Sequence, residues 1–209
     1  MTHTLHRIGT AENLADDFVF VILPAKGIND RDSDPKLQQI LKIALKHNPN
    51  NIGSDSSGEG GWYTHTTEQI IGGCHGEAHA VLSSPSDVIE YLKDLKKANL
   101  GMSVVVSGIT ETVNEICKQA GLTRHTVNYS LGFRGKTDGL PSREIMELTT
   151  MCGHHMIAPN LVTMLVEDVK KGRKTAADAA KELAKPCYCG CFNIVRAEKL
   201  IAQIAGVNK

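Results

Sequence analysis

The stretch FVFVIL, at Phe18–Leu23, is the first strongly apolar run of the chain, and Pro24 ends it. An uninterrupted run of β-branched and aromatic residues is typical of a strand that is buried on both faces. Six residues are too few to cross the apolar core of a bilayer. We therefore predict that this stretch is a buried strand.

Strand and helix patterns alternate after this run. Three segments carry apolar residues at helical spacing and are predicted as helices, namely 35–47, 86–98 and 110–120. Three others are predicted as strands, namely the end of the run 70–82, then 102–107 and 125–133. Residues 53–61 are rich in glycine and serine and are predicted to form a polar loop.

This order predicts an α/β (or α+β) fold, in which an N-terminal α/β sandwich has helices packed on a four- to five-stranded sheet. Two arrangements of the sheet fit the order. One is the strand-helix-strand-strand-helix-strand arrangement of ferredoxin-like type, and the other is a parallel three-layer sheet.

The second half of the chain is predicted to be helical. Four segments carry the pattern, namely 142–151, 160–171, 175–185 and 193–205. Thr175 is suited to cap the third of these helices, Pro186 ends it, and Asn193 opens the last. We predict an α/β domain or subdomain at 1–140 with a helical, cysteine-bearing region at 141–209 packed on it. One single domain is the alternative.

Composition limits the kinds of binding partner and the cellular compartment that we expect for this protein. The 23 basic and 23 acidic residues cancel, and only 4% of residues are aromatic, which argues against nucleic acid or an anionic membrane as a partner. The first residues lack the charged start and apolar run of a signal peptide. We therefore expect a cytoplasmic protein, with free or metal-bound thiols, that acts on a small-molecule substrate or with an electron-transfer protein.

The cysteines are the most informative residues for function. Three of the six lie within five residues of the stretch PCYCGCFN at Pro186–Asn193, namely Cys187, Cys189 and Cys191. Cys152 lies upstream in the stretch MCGHHM, between predicted helices. Cysteines gathered in this way without a secretion signal indicate a metal or iron–sulfur site before they indicate disulfides.

The spacing of these cysteines favours one kind of site. Structural zinc and thioredoxin-like redox sites usually carry a C-x-x-C pair, and this sequence has none. Iron–sulfur clusters accept irregular spacing and ligands from distant loops. We therefore predict a [4Fe-4S] cluster, with zinc and metal-free thiols as the alternatives.

The number of cysteine ligands would decide the role of such a cluster. Four thiolates saturate a cubane, which favours electron transfer or a structural role, whereas three leave one iron open as a Lewis acid. Cys152, Cys187 and Cys189 are the preferred three. Cys191 is either the fourth ligand or a bystander that turns into the helix.

Histidines and one glutamate are the candidate acid–base groups. His154 and His155 follow Cys152 closely, and His75 and Glu77 lie in the dense stretch CHGEAH. Histidine titrates near neutrality, so these groups are suited to proton transfer or to orienting a substrate. On a strand, His75 and Glu77 would share a face with His79, which is also a feasible set of ligands for a divalent metal.

Two short elements resemble part of the zinc nucleobase deaminase signature, His-x-Glu followed by Pro-Cys-x-x-Cys. They are His75-Gly76-Glu77 and Pro186-Cys187. In this chain the second cysteine follows after two residues instead of three, and more than a hundred residues separate the two elements. The resemblance implies a zinc-dependent deaminase.

The leading functional hypothesis from sequence is a metal-binding [4Fe-4S] enzyme of anaerobic metabolism. Its open iron would act on a small hydroxy- or carboxylate-bearing substrate, as a lyase in a dehydration or as a sulfur transferase. The first alternative is a non-catalytic electron-transfer or assembly protein with a fully ligated cluster. The second is a zinc-dependent hydrolase or deaminase.

Overall fold

The structure is a computed structural model, which describes residues 4–55 and 62–207. Within these residues it contains a four-stranded antiparallel sheet and nine α-helices. The strands are β1 (Phe18–Leu23), β2 (Asn51–Gly53), β3 (Ala78–Leu82) and β4 (Ser103–Ser107). The helices are α1 (Ala11–Leu14), α2 (Asp34–Ala44), α3 (Thr67–Gly72), α4 (Pro85–Ala98), α5 (Thr110–Gln119), α6 (Arg143–Thr149), α7 (Pro159–Lys170), α8 (Ala176–Ala184) and α9 (Ile194–Ala205).

The sheet has the strand order β2-β3-β1-β4, and every neighbouring pair is antiparallel. The connection from β1 through α2 to β2 passes over β3, and the connection from β3 through α4 to β4 passes over β1. This interlocked arrangement is the strand-helix-strand-strand-helix-strand type. The predicted alternative of a parallel three-layer sheet is therefore wrong. The predicted burial of β1 is confirmed, since its residues 18–22 are fully buried, and β1 is an inner strand of the sheet.

The two faces of the sheet pack against different parts of the chain. Phe20 pairs with Ala80 on one face, where the Phe20 ring lies 4.7 Å from that of Tyr91 in α4. Val21 and His79 pair on the opposite face, which lies against the cysteine stretch between α8 and α9. β1 is buried on both sides because helices cover one face and the C-terminal region covers the other.

The predicted strand at 125–133 is wrong. Residues 123–142 contain neither helix nor strand, and most of their side chains are exposed. Alternation of apolar residues is a local pattern, but a strand also needs a neighbour, and no strand of the described chain pairs with this segment. The sheet therefore has four strands. Of the predicted polar loop at 53–61, Gly53 belongs to β2, and residues 56–61 lie outside the described part of the chain.

The helices of the second half begin and end close to the predicted residues. The Thr175 side chain accepts a hydrogen bond from the Asp178 amide at the start of α8, and Asn193 caps α9 in the same way. The first predicted helix begins one residue earlier than expected, because α2 starts at Asp34 and its N-cap residue is Ser33. One cluster of buried apolar side chains includes residues of the sheet and of α6–α9. Among the described helices, none has the length and apolarity needed to cross a bilayer.

Candidate metal centre

The two cysteine stretches lie close together on the face of the sheet that carries Val21 and His79. Cys187, Cys189 and Cys191 lie in the turn between α8 and α9, and Cys152 lies just after α6. All four side chains are buried. The sequence separation between Cys152 and Cys187 is therefore closed by the packing of α6 and α7 against α8 and α9.

Two glycines allow the turn to approach the sheet. A Cβ atom at Gly53 would overlap the carbonyl oxygen of Cys189 and lie 2.9 Å from the Cα atom of Gly190. Gly190 has φ +77°, and a Cβ atom there would lie 3.0 Å from the Gly53 Cα atom and 3.1 Å from the Trp62 ring. Only glycine fits this backbone contact, which Asn51 completes by donating its side-chain amide to the carbonyl of Gly190.

The four thiols interact with one another in series. The pKa of Cys152 depends on Cys187, that of Cys187 on Cys152 and Cys189, and that of Cys189 on Cys187 and Cys191. The pKa of Cys152 is raised, first by its hydrogen bond to Cys187 and then by burial. The same bond lowers the pKa of Cys187, but its bond to Cys189 and burial outweigh that effect and raise the value to about 12. The raised pKa values of Cys152, Cys187 and Cys189 favour the protonated thiols, and a metal would displace those protons.

His79 adds a nitrogen donor from the sheet. It lies in β3 on the face that carries Gly53, and its Nδ1 atom donates to the carbonyl oxygen of Cys189 over 2.8 Å. The donor atoms of His79, Cys189 and Cys191 all lie within 4.8 Å of one another. Burial lowers the pKa of His79, but hydrogen bonds to Cys189 and Glu77 raise it to about 10.

Two carboxylates lie on the far side of His79. The Oε1 atom of Glu77 is 3.2 Å from the Nε2 atom of His79, and Asp55 completes a second group whose donor atoms are within 4.8 Å of one another. Burial, followed by a hydrogen bond with Glu77, raises the pKa of Asp55 to about 6. The predicted set of His75, Glu77 and His79 is thus brought together only in part, because Asp55 occupies the place expected for His75.

The predicted histidines lie at the edge of this site. The Nδ1 atom of His154 is 3.7 Å from the Cys189 sulfur, although most of the His154 side chain is exposed. His155 is exposed and has φ +56°, and His75 is also exposed. Of the three, His154 is the one that the structure brings into contact with a candidate ligand.

Arg7 connects the two cysteine stretches. Its Nη1 atom donates to both carboxylate oxygens of Asp17, at 2.6 and 2.7 Å. Its Nη2 atom donates to the carbonyl oxygen of Met151 at 2.9 Å and to that of Cys191. These carbonyls belong to the residue before Cys152 and to the last cysteine of the turn, so one buried guanidinium fixes both backbones.

Asp17 is the centre of the charged network around Arg7. It also accepts hydrogen bonds from Arg196 at 2.9 Å and from Asn193, the cap of α9, at 3.0 Å. Burial alone would raise the pKa of Asp17, but the charges of Arg7 and Arg196 hold it below its usual value. The network therefore ties the N-terminal segment to the turn that carries the cysteines.

Sequence reasoning missed several residues of this site, namely Arg7, Asp17, Asn51 and Asp55. Each lies in a polar stretch with no local motif, and each is placed by a contact with a distant residue, so no local signal identifies them. His79 carried a weak signal, because it is the member of the stretch CHGEAH that falls inside a predicted strand.

The remaining two cysteines lie outside the series of thiols. Cys117 is partly buried and packs against the core. Cys74 is buried, and its thiol donates to the carbonyl oxygen of Glu77 over 3.6 Å.

Comparison with known proteins adds no family or relative. No protein-family model, no curated protein and no solved structure matches the chain. A function is therefore inferred from the geometry of the site alone.

Proposed function

We propose that this chain binds a [4Fe-4S] cluster through Cys152, Cys187, Cys189 and Cys191 and transfers electrons to or from a protein partner in a reducing, cytoplasmic compartment. The observation that carries the proposal is the meeting of four buried thiols from two distant stretches. Buried thiols also occur singly in protein cores, but four that gather in one region without a disulfide are typical of a metal site.

The spread of the thiols favours a cluster over one ion. Tetrahedral zinc with bonds of about 2.3 Å brings its sulfur ligands to about 3.8 Å from one another. Cys152 and Cys187 belong to neither of the compact donor groups found among the described residues. A cubane has irons at several corners and accepts thiolates that are further apart.

The position of Cys191 favours four ligands. Its donor atom lies within 4.8 Å of those of Cys189 and His79, so its side chain points to the other thiols and not into α9. A saturated cluster has no open iron for a substrate. Because of this geometry, we favour electron transfer over the lyase or sulfur transferase activity that was expected from sequence.

The catalytic alternative is supported by His154. This exposed histidine is 3.7 Å from the Cys189 sulfur, which suits a proton donor at the mouth of a site. In this version Cys191 is not a ligand, one iron stays open to a hydroxyl or carboxylate oxygen of a small substrate, and His154 supplies or accepts the proton.

A single zinc ion is the second candidate cofactor. His79, Cys189 and Cys191 are compact enough for one ion, and a Cys₂His set with an open position is a known catalytic arrangement. It would support hydrolysis or deamination. Neither His154 nor Cys152 is required as a ligand in this version.

Metal and sulfide analysis of anaerobically purified protein tests the proposal. A brown protein with about four irons and four sulfides per chain is the expected result. About one zinc per chain without sulfide would overturn the cluster and support the Cys₂His site.

Replacing Cys191 with alanine is expected to abolish assembly of the intact cluster, because a cubane that loses one of four protein ligands becomes labile. Iron and sulfide per chain after anaerobic reconstitution measure the effect. The matched control is Cys117→Ala, which removes a thiol outside the site. Full cluster content in Cys191→Ala would instead establish three ligands and an open iron.

A further inference from the structure

Strand β4 is an edge of the described sheet. Among the residues that the structure describes, it pairs only with β1 and lies last in the strand order, and the hydroxyl of its last residue, Ser107, contacts that of Thr4 at 2.5 Å. Its sequence is SVVVS, without the charged residue or proline that usually blocks edge pairing. The three valines point alternately to the two faces and are only half-buried, so this edge has the composition of an inner strand and lacks a neighbour on one side.

The same chain carries a strand-like segment without a partner strand. Residues 123–136, which we term the arm, are described throughout and make no backbone–backbone hydrogen bond with any other described residue. Every second residue in its centre is a large apolar residue, namely Val127, Tyr129, Leu131 and Phe133, and these are between 41% and 74% exposed. Alternation of this kind is the pattern of a strand with one buried face.

We propose that two copies of this chain form a symmetric dimer in which the arm of each copy pairs with the β4 edge of the other. Among the described residues, the β4 edge lacks a neighbouring strand on one side and the arm lacks a partner strand. One chain carries both, so two copies can pair with each other. A pair of identical contacts related by a two-fold axis satisfies both edges and both arms at once.

The area available is sufficient for a stable dimer. Four large apolar side chains exposed to this extent present on the order of 400 Å² on each arm. Two arms and the matching surfaces on the opposite copies then bury on the order of 1,600 Å², which is the size of a standard specific interface. Pairing would exchange the contact between His6 and Ser130, at 3.0 Å, and the contact of Thr4 with Ser107 at the β4 edge.

The mass of the full-length protein in solution, measured by light scattering over a range of concentrations, tests the dimer. The wild type is expected to be dimeric. The double variant Tyr129→Asp/Leu131→Asp is expected to weaken the dimer by at least about 100-fold, because both charges would be buried at its centre. The matched control is Ile28→Asp, at an exposed apolar residue in a different loop, and it should leave the dimer unchanged.

Hydrogen exchange of the wild type locates the contact without any variant. Amides of residues 125–133, and the alternate amides of β4 that point away from β1, are expected to be protected in the dimer. A monomeric wild type at every concentration would overturn the proposal, and so would a dimer whose arm exchanges freely. A monomer with a protected arm would also overturn it, because the arm would then pair within its own chain.

Discussion

The variant Arg7→Ala is expected to lose about 3 kcal/mol of unfolding free energy and to bind metal about 10- to 100-fold more weakly. Arg7 is buried and donates four hydrogen bonds, two to Asp17 and one each to the carbonyls of Met151 and Cys191. Its loss leaves Asp17 with only Arg196 as a cationic partner and leaves both carbonyls without this donor. Both cysteine stretches would then be free to move apart.

Denaturant unfolding and metal titration measure the two effects of Arg7→Ala separately. Arg7→Lys should fall between wild type and alanine, because lysine keeps the charge but has one nitrogen, which cannot bind Asp17 and both carbonyls at the same time. Arg143→Ala is the matched control, since Arg143 is an exposed arginine. If Arg7→Ala and Arg143→Ala unfold at the same denaturant concentration, the role assigned to Arg7 is wrong.

The variant Gly53→Ala is expected to destabilise the protein by about 1–3 kcal/mol and to weaken metal binding strongly. The added methyl group would overlap the carbonyl of Cys189, and the neighbouring atoms are backbone, which cannot rotate away. The turn that carries three of the cysteines must therefore move off the sheet. This displacement also breaks the hydrogen bond from His79 to the Cys189 carbonyl.

The control for this substitution is Gly72→Ala. It adds the same methyl group at a position where nothing lies within 4 Å of the new atom and φ is not positive. Thermal unfolding and metal content of the two variants should differ clearly. Equal behaviour of Gly53→Ala and Gly72→Ala would mean that the turn does not pack on the sheet at Gly53.

The fold could be predicted from sequence where the signal is local. The strand at Phe18–Leu23 and the caps Thr175 and Asn193 follow from residues within a few positions of each other. Strand order could not be predicted, because the pairing of β1 with β3 and β4 joins residues that are about 60 and about 80 or more positions apart. The prediction of a strand at 125–133 was wrong for a related reason. Its alternating pattern is local, but a strand also needs a neighbouring strand, and the described chain provides none.

The residues of the candidate site also differ in whether the sequence could predict them. The cysteines were identifiable because three lie in one short stretch, and cysteines seldom lie so close together except in metal sites and disulfides. Arg7 was not identifiable, because its role depends on carbonyls 144 and 184 positions away. Neither was the contact of Gly53 with Gly190, which depends on two loops that meet only after the sheet and the helices have packed.

The most direct test of the cluster is the iron and acid-labile sulfide content of the wild type, Cys189→Ser and Cys117→Ser after anaerobic reconstitution. Cys189 lies between Cys187 and Cys191 in the series of thiols, whereas Cys117 lies outside it. We predict about four irons and four sulfides per chain in the wild type and in Cys117→Ser, and loss of both in Cys189→Ser. Iron and sulfide retained in full by Cys189→Ser, or absent from the wild type, would contradict the proposed centre.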